Sequence, residues 1–143
     1  MDRDKSLREH VLYLLAGGGA HINFEAVMKD FPVELRGKKE NGFPYTAWQL
    51  LEHLRIARWD ILDFCRNPEY VYLNWPADYW SPEESPPDEK AWDKSVESFR
   101  KDLKEIQDLV GDPATDLFAR IPYGKGQTIL REALLVAGTV IPG

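Results

Sequence analysis

Three histidines and one cysteine are the side chains of this chain best suited to metal, acid–base or nucleophilic chemistry: His10, His21, His53 and Cys65. His53 is the most informative. It lies in the stretch TAWQLLEHLRIARWDIL, residues 46–62, between Glu52 and Leu54. At helical spacing it sits on the edge of an apolar stripe, one turn from Gln49, Leu50, Ile56 and Ala57, with Asp60 two turns along. A histidine so placed can ligate a metal through one nitrogen while a carboxylate or carbonyl fixes the other. It can also act as a base, or close a core rim through a satisfied hydrogen bond. A divalent metal needs three or four converging protein ligands, so a rim histidine is the simpler reading of the residue alone. His10 flanks the apolar stripe of the first helical segment, and His21 follows a run of glycines. Each reads as structural or solvated, and the three histidines make a site only if the fold converges them.

Other chemistry is set aside on spacing. There is no Glu-x-x-His pair, so the di-iron bundle signature is absent, and neither HExxH nor GxSxG occurs. Cys65 follows His53 by roughly 18 Å of helical rise, too far for a thiolate–imidazole pair within one chain. YGKGQT, residues 123–128, lacks the spacing of a phosphate loop and reads as a helix-initiating turn. Glu83, Glu84, Asp88 and Glu89 read as solvated acids near the start of the third helix, where the helix dipole favours them.

The elements that must position these groups are helices. The 143 residues suit a single domain, 1–143, that can bury a core unaided. The lone cysteine excludes an internal disulfide framework. The net charge is −6, and the nearest basic cluster is RGKKENG at 36–42. Nucleic-acid binding driven by phosphate contacts is therefore not expected. No apolar run approaches the roughly 20 residues of a membrane span, and the charged N-terminus is unlike a signal peptide. The expected location is cytoplasmic.

Periodicity predicts four main helices. The first covers about 4–16, with Leu7, Val11, Leu14 and Leu15 on one face, and ends at Gly17–Gly19. A short helix within 23–31, capped by Asn23, and a loop over 32–45 follow. The second begins at a capping box, Thr46-Ala47-Trp48-Gln49. Its stripe is Leu50, Leu54, Ala57, Ile61 and Cys65, widened by Leu51 and Leu62, and it ends near Arg66, before Pro68. Trp48 and Trp59 fall opposite that stripe. Residues 67–87, rich in aromatics and prolines, have no helical period. They read as an aromatic strap over one end of the bundle or as a wall of a substrate pocket. The third helix, about 86–110, carries the seam Trp92, Val96, Phe99, Leu103, Ile106 and Val110, a period suited to an antiparallel bundle. The last starts near Thr128 as ILREALLVA, apolar nearly all round as a buried helix would be. At roughly 15 Å against roughly 30 Å for a twenty-residue partner, it half-fills its place.

The segment PYTAWQLLEHLRIARWDILDFCRNPEYVYLNWPADYW resembles the DinB-like superfamily of small bacterial helical proteins, and the likeness continues through WDKSVESFRKDL and DPATDLFARIPYGKGQTILREALLVA. The resemblance implies an all-α, up-up-down-down four-helix bundle, commonly a homodimer. It implies a divalent metal, zinc or nickel, held by three histidines. His53 matches the ligand on the second helix. The other two form a His-x-x-x-His pair on the fourth helix, where this chain has GTVIPG at 138–143. The expectation is thus a truncated fourth helix and an incomplete metal centre, in a protein that is non-catalytic or altered. The alternative is a metal-dependent hydrolase or thiol transferase acting on a small molecule, with His53 joined by substitute ligands: His10, His21, Asp60 or groups from a second subunit.

Overall fold

The computed structural model describes residues 3–16, 31–39 and 42–137. Four α-helices carry them: α1 (Arg3–Leu15), α2 (Ala47–Arg66), α3 (Ala91–Gly111) and α4 (Ile129–Ala137). Two 3₁₀ turns, Val33–Leu35 and Ala77–Tyr79, interrupt the connections. Extended pairing among the described residues is limited to two isolated bridges, Lys39 with Thr46 and Arg120 with Thr128. The all-α expectation therefore holds. Among the described residues no helix is long and apolar enough to cross a membrane. Gly17–Gly19, His21, the short helix expected at 23–31 (except Phe31) and residues 138–143 lie outside the described residues.

The capping box forms as expected: Thr46 Oγ1 accepts from Gln49 N at 3.2 Å, and Gln49 Oε1 accepts from Thr46 N at 3.1 Å. Thr46 is fully buried, and its hydroxyl donates to Glu84 O at 2.6 Å, so the cap also anchors the far end of the 67–90 connection. The third helix begins at Ala91, later than expected. Pro86 and Pro87 have no backbone N–H to give a helical ladder, and Asp88 Oδ1 accepts from Lys90 N in a side-chain turn just ahead of the helix.

α2 and α3 run parallel, against the antiparallel expectation. Trp48 meets Trp92, Ser95 Oγ donates to Glu52 Oε2 at 2.6 Å, Arg58 lies over the Phe99 ring, and Arg66 pairs with Glu105 at 3.0 Å. Residue numbers on the two helices rise together. The reason is the connection: it travels back along α2 before α3 starts, so α3 sets off in the same sense. An up-up-down-down order would have made this pair antiparallel.

Two clusters fill the core. One gathers Val11, Leu15, Leu62, Ile106, Val110, Leu117, Ala133 and Val136 from all four helices and the 112–128 connection; the other joins Trp48, Leu51 and Trp92. The buried faces differ from the expected stripes in three places. On α1, Leu14 is exposed and Arg8 is buried, because Arg8 donates to Val110 O and Asp112 O at 2.7 Å, and also to Thr115 O. It thereby satisfies carbonyls that the end of α3 leaves open. On α2 the buried line is Trp48, Leu51, Leu54, Arg58 and Leu62, one residue round from the expected stripe, and Trp59 is exposed. On α4 only Glu132, Ala133 and Val136 are buried, while Leu134 and Leu135 are each 45% exposed. α4 is amphipathic, not surrounded.

Candidate functional site

The second face of α2, made by Gln49, His53, Asp60 and Phe64, explains the rotation of the core stripe. Residues 67–87 lie along it as an antiparallel strap. Gln49 Nε2 donates to Ser81 O at 3.2 Å, and His53 Nδ1 donates to Tyr79 O at 2.9 Å. Further along, Asp60 accepts from Tyr79 OH and Tyr70 OH, and Phe64 packs edge-on against Tyr70. The strap thus runs the length of the helix, where the sequence suggested a cover for one end.

At the first position, a carbonyl can only accept, so His53 Nδ1 carries a proton, and Nε2 is the ring nitrogen left to offer a lone pair. The imidazole stacks on Trp80 at 4.0 Å between centroids and 8° between planes, and Tyr45 stacks on Trp80 at 3.9 Å. This ring stack and the carbonyl bond fix the histidine's orientation.

Asp60 holds the second position. Only 8% exposed, it accepts from Tyr70 at Oδ1 (2.6 Å) and from Tyr79 at Oδ2 (2.5 Å). Burial and then the Asp60 hydrogen bond push both phenols up, Tyr79 to about 12 and Tyr70 further, so both remain protonated donors. These short, charge-assisted bonds lock the strap to α2.

Between the strap, α2 and the start of α4 lies an open cleft of about 200 Å³. Its walls are Phe64, Tyr70, Tyr72 and Tyr79, and its polar groups are Asp60, Gln127, Arg131 and Glu132. The Gln127 and Thr128 region is shaped by the 123–128 turn: Gly126 has φ +104, Gln127 Oε1 accepts from Lys125 N, and Thr128 Oγ1 accepts from Arg131 N at the head of α4. YGKGQT is accordingly the helix-initiating turn its spacing suggested. Glu132, 3% exposed, is paired with Arg131 Nη1 at 2.6 Å. Asp60 was named in the sequence only as a substitute ligand. Spacing does not mark Gln127 or Arg131, and Glu132 has one signal, an acid within the apolar run ILREALLVA.

The candidate metal donors do not assemble. Among the described residues no three His, Cys, Asp or Glu side chains form a group able to hold a metal ion. Asp60 commits both oxygens to tyrosines and stands roughly 10 Å of helical rise from His53. His10 is exposed on α1, with Nδ1 donating to Ser6 O at 2.7 Å. Among the described residues, His10 Nε2 and His53 Nε2 are not gathered with a third donor, so these residues do not fit a three-histidine centre. Cys65 faces Ile106 and Val110, and burial, then Glu132, raises its thiol to about 12, which makes it a poor nucleophile.

No family model, curated protein or solved structure matches the chain.

Proposed function

We propose that this chain is a DinB-like helical bundle that acts as a small-molecule-binding protein, non-catalytic or with chemistry altered from the three-histidine pattern. The observation that carries the reading is the cleft between the strap and α4. Two of its rings, Tyr70 and Tyr79, and its buried carboxylate are held in place by hydrogen bonds before any ligand arrives, the pre-organisation that a binding site needs. The α2 signature and its histidine support the family reading; the parallel sense of α2 and α3 departs from the arrangement that the resemblance implies. A homodimer belongs to the same proposal, with Leu134 and Leu135 as apolar side chains for it to cover. A screen of small molecules by ligand-observed NMR tests the reading. Binding weakened by Tyr72→Ala supports it, and a screen without a single cleft ligand overturns it.

One observation favours a second reading, a hydrolase or thiol transferase dependent on zinc or nickel. The Nδ1–H···O=C bond of His53 is the support that metal-binding histidines commonly receive. The remaining donors would come from outside the described residues, such as His21, or from a second subunit. Stoichiometric zinc or nickel in the purified protein, lost in His53→Ala with folding intact, would establish this reading over the first.

A further inference from the structure

What the cleft can still offer a ligand depends on which of its polar atoms are already bonded. Its acids lie deep and have partners. Asp60, 8% exposed, accepts a phenol at each oxygen, and Glu132, 3% exposed, accepts from Arg131 Nη1. The Gln127 amide is oriented by its own turn: Oε1 accepts from Lys125 N at 2.6 Å, which leaves Nε2 with both its N–H groups to give. Two lining groups thus keep donors without a partner among the described residues. One is Gln127 Nε2. The other is Arg131, whose side chain is 59% exposed and whose Nε–Nη2 edge stays free while Nη1 serves Glu132. A guanidinium can take a carboxylate on such an edge with two parallel bonds.

Charge points the same way. Lys125 Nζ stands 5.6 Å over the centroid of the Tyr72 ring, so Lys125 and Arg131 set two exposed cations against two buried carboxylates. The chain as a whole carries −6, so the preference is set by these contacts at short range and not by long-range attraction. The rest of the wall is aromatic, with Phe64, Tyr70, Tyr72 and Tyr79 around about 200 Å³.

We propose that this cleft binds a small aromatic carboxylate, its anionic end on the free edge of Arg131 and the amide of Gln127, its ring against the tyrosines. The inference rests on the small-molecule reading above and narrows it to one class. Glu132, by holding Nη1, fixes where the free edge of Arg131 lies. The phenol bonds to Asp60 hold two of the rings that the ligand would meet and keep that carboxylate occupied.

The test uses the full chain and three single-ring probes titrated by ligand-observed NMR: benzoate, neutral benzyl alcohol and benzylammonium. Benzoate is expected to bind at least about tenfold more tightly than benzyl alcohol, the ordinary size of a charge-assisted contact. Arg131→Lys keeps the charge and removes the fork, so it should weaken benzoate several-fold and leave benzyl alcohol unchanged. Lys125→Gln, at an exposed residue, should weaken benzoate to a smaller degree, and it keeps the test valid should Arg131→Lys fail to fold. Equal binding of benzoate and benzyl alcohol, tighter binding of benzylammonium, or benzoate affinity unchanged by these substitutions overturns the inference and leaves the small-molecule reading standing. A wider screen that finds another cleft ligand while benzoate does not bind has the same result. If that screen finds no cleft ligand either, both fall.

Discussion

Replacing Tyr79 with Phe removes one of the two hydroxyls that hold Asp60 and leaves the ring in place. The lost bond is 2.5 Å long and runs to a carboxylate that is 8% exposed. A hydrogen bond to a charged group contributes about 1.5–3 kcal/mol, so Tyr79→Phe should cost about that much. At roughly 3 °C per kcal/mol for a chain of this size, the melting temperature falls by about 5–9 °C. Tyr70→Phe, which loses the 2.6 Å bond, should behave alike. The double variant should cost more than the sum, because a buried carboxylate would then have lost both donors. In an Asp60→Asn background each Tyr→Phe step should shrink to about 0.5–1.5 kcal/mol, the range for a neutral bond. The alkaline limb gives a second check. Tyr79 binds its proton more tightly when folded, with its pKa at about 12 against an ordinary 10.0. Its stabilising contribution is therefore complete below the ordinary value and is lost as pH rises through about 12. Tyr79→Phe should lack that part of the alkaline slope. Urea unfolding followed by circular dichroism measures all of these. A cost below about 0.5 kcal/mol for either single variant, or costs that do not change when Asp60→Asn is already in place, would refute the idea that Asp60 locks the strap.

Thr46→Ala should cost about 2–3 kcal/mol in the same assay, because it removes both the α2 cap and the bond to Glu84 O. Cys65 should react slowly with thiol reagents in mildly alkaline buffer and quickly once the protein is unfolded. Its raised pKa also adds stability that is complete below 9.0 and lost as pH rises through about 12. Between α2 and α3, burial lowers Arg58 to about 9 against the pull of Asp102, and burial, then Glu105, raises Asp102. Both directions say that these buried charges are costly. Arg58→Met with Asp102→Leu should thus be neutral or stabilising by about 1–4 kcal/mol.

Much of the helical content was legible in the chain itself. The Thr46–Gln49 capping box, the end of α2 before Pro68, the α3 seam and the stop at Gly111 depend on residues within a turn or two of one another, and local hydrogen bonds and hydrophobic period decide them. His53 could also be placed on a helix edge, because spacing alone sets that. Tertiary structure decided which way each face looks and what meets it. Asp60 reads as a carboxylate two turns from His53 and a substitute ligand until the strap returns along α2 and brings in Tyr70 and Tyr79, ten and nineteen residues further on. Arg8 is unmarked by spacing, and its burial follows only from α1 docking beside the open carbonyls of α3. The parallel sense of α2 and α3 follows from the path of the 67–90 connection, which carries no periodic signal. Contacts between distant segments depend on that path, and hydrophobic period along one helix holds no record of it.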